Sequence, residues 1–225
     1  MHYQFEDFNS AELIFDGPAK PLWDELHKVL SGLPLFLQPS DQAGKQGEPI
    51  FDPKATNAHL THAAAGLGWH AIPVPKDLIM FGKDWDGGKG NVLAEWQFSN
   101  YPFLWNNVIR TEAIHSSQVT LPGMAPIDAL VVVTKCGEFP ASNSTLYYEQ
   151  ACAQLHGVTR YNTFSIPIRM VGLTVGGASE VSAEWCQYPG RYSRAPASVE
   201  TRNFSVVRRR AGMYDFLPIR FLPVE

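Results

Sequence analysis

One stretch restricts what the whole chain can fold into: Gly82-Lys-Asp-Trp-Asp-Gly-Gly-Lys-Gly-Asn-Val-Leu-Ala-Glu-Trp-Gln-Phe-Ser-Asn-Tyr-Pro-Phe103. An acidic, glycine-rich segment runs into a strand-like run in which polar and bulky apolar residues alternate. Side chains alternate faces along a strand, so Glu95 and Gln97 share one face while Ala94, Trp96 and Phe98 take the other. Asp86 follows the apolar run Leu78 to Phe81. A hairpin closed by Gly87, Gly88 and Gly90 brings it back beside Glu95. Two carboxylates and a carboxamide oxygen would then converge as hard ligands suited to magnesium. The same residues also fit a solvated turn followed by a strand's wet face. Spacing alone does not choose between the two.

Around this stretch the pattern alternates between strand and helix. Pro18 to Ser31 has Leu22, Trp23, Leu26, Val29 and Leu30 at helical spacing, with Gly32 and Pro34 as stops. Residues 40 to 57 are polar, with Gly and Pro, and read as a loop. His59 and His62 lack zinc-spaced partners and belong to a helix surface. His70 precedes Ile72-Pro-Val-Pro75, where proline forces extended backbone. Asp77 to Lys83 and Val92 to Phe98 are the expected catalytic hairpin. Tyr101 to Ser116 is a helix with an apolar stripe of Phe103, Leu104, Val108, Ile109 and Ala113, and Pro102 in its first turn. Ala129 to Thr134 is a buried strand, Thr145 to His156 a helix, and Phe164 to Leu173 a strand interrupted by Pro167. This predicts an α/β fold, a mixed central sheet flanked by helices. After Gly176 come short β-prone runs, Phe204 to Val207 and Phe216 to Leu222, read as an appended C-terminal β-rich part spanning 176–225.

A chain of 225 residues suits one domain with a sizeable core. No run approaches the length of a membrane span, and the N-terminus lacks signal-peptide regions. Cys136, Cys152 and Cys186 are odd in number and far apart, which suggests free thiols and a cytoplasmic setting. Net charge is −4, yet the segment from Cys186 onward holds seven Arg, no Lys and three acids, a local +4. An acidic body with a basic C-terminal part suits a DNA cleft, although a solvated tail has the same composition. Arg208, Arg209 and Arg210 alone say little about phosphate.

Glu95-Trp-Gln-Phe-Ser-Asn-Tyr-Pro-Phe-Leu-Trp-Asn-Asn107 resembles the active-site strand and following helix of the BglII type of restriction endonucleases. Further matches occur in the family's order: Ser40-Asp-Gln-Ala43, Ile50-Phe-Asp-Pro53, Phe139-Pro-Ala-Ser-Asn-Ser-Thr-Leu-Tyr-Tyr-Glu-Gln-Ala151, Pro167-Ile-Arg169 with Val171-Gly-Leu173, and Arg191-Tyr-Ser-Arg194. That family is a branch of the PD-(D/E)xK nucleases in which glutamine replaces the usual lysine, and Gln97 reproduces the replacement. The resemblance implies a restriction-endonuclease-like core and a homodimer that hydrolyses both strands of double-stranded DNA. A cognate DNA methyltransferase would belong to the same system. It also implies Mg²⁺ held by Asp86, Glu95 and the Trp96 carbonyl, with Gln97 positioning water.

Base and phosphate contacts are implied for Ser99, Asn100, Asn143, Ser144, Arg191, Tyr192 and Arg194. Asn143 and Ser144 stand in an N-cap neighbourhood and would serve equally as local caps. Asn can bond adenine N6 and N7 together, which gives the family reading its chemistry. Two positions depart from the family. Ala71 stands where it has an asparagine near the carboxylates, and Gly190 where it has a lysine before Arg191. The expected site is a six-base-pair palindrome with central GATC, AGATCT foremost. Three other readings share parts of the pattern: a repair or mobile-element nuclease, a non-cleaving DNA-binding module, and a glycosidase using Asp86 and Glu95. Binding to duplex DNA should weaken steeply with salt, the log–log slope gaining about 0.9 per phosphate neutralised. A titration at rising salt checks this, and a flat response would remove phosphate contact from the account.

Overall fold

The computed structural model describes residues 1–141, 145–209 and 213–219. In chain order its elements are β1 (His2–Phe8), α1 (Ala11–Phe15), α2 (Lys20–Ser31), β2 (Phe36–Pro39), β3 (Pro49–Phe51), α3 (Pro53–Ala65) and β4 (His70–Pro73). A 3-10 helix, Lys76–Phe81, precedes β5 (Asp84–Lys89) and β6 (Val92–Trp96). There follow α4 (Pro102–Ser117), β7 (Ala129–Lys135), α5 (Tyr148–Thr159), β8 (Ile168–Thr174), β9 (Glu180–Gln187), β10 (Ser198–Arg208) and β11 (Tyr214–Pro218). No described helix is long and apolar enough to cross a membrane.

Six strands form the central sheet in the order β1-β8-β7-β6-β5-β4. Its middle, β6-β7-β8, is parallel, and β4, β5 and β1 join antiparallel. The α/β class and mixed sheet are those expected from the alternating pattern. β7 is buried on both faces, as a continuous run of β-branched residues requires in a parallel sheet centre. One face packs on α4 and α5 through Leu93, Leu130, Val132, Val108 and Leu155. The other packs on α2, α3 and a second sheet through Val92, Ala94, Trp96, Trp23 and Trp185.

The expected C-terminal β-rich part is present as β9, β10 and β11, and β2 and β3 complete it into a second sheet, β11-β10-β9-β2-β3. β9 pairs in parallel with β2, so the N-terminal half supplies two of the five strands. The segment read as a loop over 40 to 57 contains β3 and the start of α3. Asp52 caps that helix by accepting from Lys54 N at 2.9 Å and Ala55 N at 3.1 Å, with Pro53 pre-set for the first turn.

The catalytic hairpin also differs. Residues 76 to 81 are a 3-10 helix with Ile79 and Met80 exposed, and the first strand is β5, which contains Asp86, Gly87 and Gly88. The two glycines lie within the strand, and at Gly88 no side chain fits. A Cβ on Gly88 would stand 2.3 Å from Ile72 Cγ1, and one on Gly87 would meet Trp69 and Trp96. Only Gly90, at φ 60°, serves the turn.

Beneath β1 and β8, Arg169 is 1 % exposed and its Nε and Nη2 each donate to Asp7 at 2.7 Å. The rings of Phe5, Phe15 and Trp23 surround its guanidinium at 4.3–4.6 Å. Removing one partner of such a pair leaves a poorly solvated charge. Arg169→Ala should cost about 3–5 kcal/mol, read as a fall in unfolding free energy in urea.

Candidate active site

β5 and β6 form a ladder only from Gly87↔Ala94 to Lys89↔Val92. Beyond it the strands diverge, and the Asp86 side chain replaces the missing backbone acceptor: its Oδ2 accepts from Trp96 N at 2.8 Å. A register shift between β4 and β5, from His70↔Gly88 to Ile72↔Trp85, marks the same irregularity from the other side. The result is a carboxylate held against the backbone of β6, beside the Trp96 peptide.

Alternation along β6 puts Glu95 and Gln97 on the α4 side, and both are buried, at 5 % and 6 % exposed. Neither is left to water. Arg110 of α4 donates from Nη2 to Glu95 Oε1 and to the Asp84 carbonyl (2.9 Å), and from Nη1 to the Phe81 carbonyl (3.4 Å). Its guanidinium also stands 4.9 Å over the Trp85 ring. Asn107 donates to Gln97 Oε1 at 3.1 Å, and Gln97 Nε2 donates to Ser99 Oγ at 2.8 Å. The Gln97 carboxamide is therefore fixed in orientation from both ends.

Burial pushes the Asp86 carboxyl above its ordinary range. The Trp96 N–H and Arg110 oppose that shift, and Asp84 adds to it. Burial also pushes the Arg110 guanidinium down to about 10 against the pull of Asp86 and Asp84, which keeps it charged at neutral pH. For a divalent cation the fitting donors are hard oxygens: the Asp86 carboxylate and the Trp96 carbonyl, the latter reached by Asn57 Nδ2 of α3 at 3.4 Å. Glu95 is turned toward Arg110. No group of three or more His, Cys, Asp or Glu gathers among the described residues. Two protein oxygens with water completing the shell fit magnesium's habit of keeping several waters.

Two clefts open on this site. One, about 350 Å³, is lined by Phe81, Lys83, Asp84, Gln97, Ser99, Asn107 and Arg110. The other, about 810 Å³, lies between α3 and the end of β6, with Lys54, Asn57, Thr61, His62, Trp96, Ser99 and Arg194 on its walls. Ser99 belongs to both. Arg194 is thus brought to the same cleft as Trp96, while Asn100 lies exposed at the head of α4. Arg191 pairs loosely with Asp41 at 3.5 Å, and Tyr192 is 90 % exposed. Asn143, Ser144 and Arg210 lie outside the described residues. The helix near that pair starts only at Tyr148, with Tyr147 at the cap position. The His70 ring lies 3.4 Å from Gly68 O and near Gly123.

Arg110 and Asn107 escaped the sequence reading. The stripe expected on α4 included Phe103 and Ile109, which are exposed. The buried face is Leu104, Asn107, Val108, Arg110, Thr111 and Ile114. A signal was present: Leu104, Asn107, Val108, Thr111 follow i, i+3, i+4, i+7 spacing once polar residues are admitted to the stripe.

A family model described as restriction endonuclease BglII/BglIII matches residues 3–173. The type II restriction enzyme BglII of Bacillus subtilis is 39% identical over 209 residues, covering 92% of this chain and 92% of that enzyme. The crystal structure of restriction endonuclease BglII complexed with a DNA 16-mer superposes with a TM-score of 0.90 at 37% identity, over 97% of this chain and 100% of that one. The crystal structure of free BglII gives 0.75 at 32% identity, with the same coverage. The described backbone is therefore closer to the DNA-complexed form than to the free one.

The raised Asp86 group has a thermodynamic consequence. Its charged form is disfavoured in the folded state, so it destabilises the fold above its folded pKa and not below its unfolded one. Asp86→Asn, which keeps an acceptor for Trp96 N–H, should raise the urea midpoint at pH 7. The gap from the parent protein should close as pH falls below the ordinary carboxylate value of 3.8. Urea melts at several pH values check both.

Proposed function

The chain belongs to the restriction endonuclease BglII/BglIII family and is a type II restriction enzyme, and on that premise we propose that it cuts both strands of duplex DNA at a six-base-pair palindrome with central GATC, AGATCT foremost. The observation that carries the proposal is the seating of the Asp86 carboxylate on the N–H of Trp96, a residue that lines a cleft of about 810 Å³. Asp86 and the Trp96 carbonyl would hold Mg²⁺, and Glu95, paired with Arg110, is the further carboxylate that the family resemblance implies. The ion, when bound, lowers the pKa of water and offsets charge building on the phosphate.

The chain's own groups do the rest. Water forms a bond to phosphorus while the bond to the leaving sugar oxygen breaks. Gln97, clamped by Asn107 and Ser99, offers its second Oε1 lone pair to orient that water. A carboxamide does not accept a proton near neutral pH, so the proton leaves through solvent or a phosphate oxygen. Arg110 pairs with the Glu95 carboxylate and fixes its position against α4.

DNA is read from two sides in this proposal. Asn143 and Ser144 contact bases in the major groove. Ser99, Asn100, Arg191, Tyr192 and Arg194 contact base edges or backbone. The sheet of β9, β10 and β11 carries the Arg191–Arg194 loop as a recognition part of a single domain. A palindrome is read most simply by a two-fold symmetric homodimer, each protomer cutting one strand to leave four-base 5′ overhangs. A cognate methyltransferase shares the system without contacting this chain.

Digestion of a sequenced plasmid with Mg²⁺, followed by mapping of fragment ends, tests the reading. Ends at a single palindrome support it, and cutting indifferent to sequence overturns it. Asp86→Ala should lower cleavage by about 10³-fold or more while sparing binding, since a metal-holding carboxylate supports several kcal/mol of transition-state stabilisation. A variant that still nicks plasmid at the parent rate would take Asp86 out of the site.

A further inference from the structure

Lys135 ends β7 and is 1 % exposed. A buried ammonium normally has a carboxylate beside it. Here, among the described residues, it meets only neutral oxygens: the Phe98 carbonyl at 3.4 Å, the Leu146 carbonyl at 3.2 Å and the Thr145 hydroxyl. The rings of Phe51 and Tyr147 face it at 5.5 and 5.1 Å. Burial pushes its pKa down to about 7.

The acceptors come from two segments with different tasks. Phe98 directly follows Gln97 on the catalytic strand. Thr145 and Leu146 directly follow Asn143 and Ser144. The same segments are joined twice more, by Thr145 Oγ1 donating to Phe98 O at 3.1 Å and Leu146 N donating to Ser99 O at 2.9 Å. Ser99 Oγ in turn accepts from Gln97 Nε2. An unbroken run of hydrogen bonds therefore leads from the residues after Asn143 and Ser144 to the carboxamide that orients water.

We propose that Lys135 is a positioning residue that couples base reading to cleavage, holding the segment after Asn143 and Ser144 in register with Phe98 and Ser99. The inference rests on the proposed base contacts of Asn143 and Ser144. A mismatched base pair that shifts their segment withdraws two of the three oxygens from a buried cation. The arrangement of Ser99 and Gln97 is lost with them. Discrimination thus resides in the chemical step as well as in binding.

The test uses Lys135→Met in the full chain, assayed with Mg²⁺ on the cognate duplex and on duplexes altered at one base pair. The expected result is a kcat on the cognate duplex reduced about tenfold or more with KM little changed, and a cognate-to-altered ratio of kcat/KM that falls by a similar factor, the size of one hydrogen bond to a charged group. The urea midpoint should stay level or rise, because a buried cation gives way to an apolar group of similar volume. A ratio that stays at the parent value overturns the inference, whatever happens to kcat. Should the methionine variant fail to fold, Thr145→Val removes one acceptor and the link to Phe98. The ratio must fall there too, and an unchanged ratio overturns the inference. Asn143→Ala separates the two layers. Parent selectivity in that variant defeats the base-contact reading and the coupling with it. Selectivity lost in Asn143→Ala but kept in Lys135→Met defeats the coupling alone.

Discussion

The site depends on one buried guanidinium. Arg110 reaches across from α4 to the Glu95 carboxylate on β6, the Asp84 carbonyl at the start of β5 and the Phe81 carbonyl just before it. It therefore fixes both diverging strands against the same helix. A buried arginine is costly to desolvate, and a paired one is weak evidence for net stability. What it provides is definition. With its donors spread over three segments, the helix, the strand carrying Glu95 and Gln97, and the approach to Asp86 have one mutual arrangement in which these groups are satisfied. Gly82 leaves room for this, since a Cβ there would collide with the guanidinium.

The divergence of β5 from β6 is the second constraint. In a regular antiparallel pair the Trp96 N–H would be taken by a backbone carbonyl, and no carboxylate would approach the Trp96 peptide. Separation beyond Gly87 leaves that N–H without a backbone partner, and Asp86 takes it. Gly87 and Gly88 make this possible by letting β5 lie flat against Trp69, Trp96, Ile72 and Leu93 without side chains of its own. Packing in the core thus places an acid at a strand end. The energy for holding a carboxylate away from water comes from the apolar contacts on both faces of the sheet.

Much of this was legible from the residues. The strand-and-helix alternation gave the mixed sheet, because hydrophobic periodicity is set by which face must be buried. The two-residue period of Ala94 to Phe98 correctly separated Glu95 and Gln97 from the apolar side. Other features were hidden by locality. A glycine pair beside an acidic residue looks like a turn until Ile72 and Trp69 are known to press on it. Asp52-Pro53 is a helix start within a stretch whose polarity suggested only a connector. The C-terminal strands looked self-contained, but β9 completes its hydrogen bonds with β2, more than a hundred residues earlier in the chain.

The sequence by itself determined which chemistry the chain carries: two acids and a glutamine at strand spacing, in collinear segments that resemble one nuclease family. It also determined which faces of the β6 strand are apolar, since that depends on neighbours a few residues away. Only the tertiary structure decided which polar groups meet. Arg110 with Glu95, Asn107 with Gln97, Asp86 with Trp96 N–H and Lys135 with Phe98 and Leu146 are pairings between separate elements. A buried polar side chain takes its partner from whatever element packing brings against it, and no local pattern in the chain records that choice.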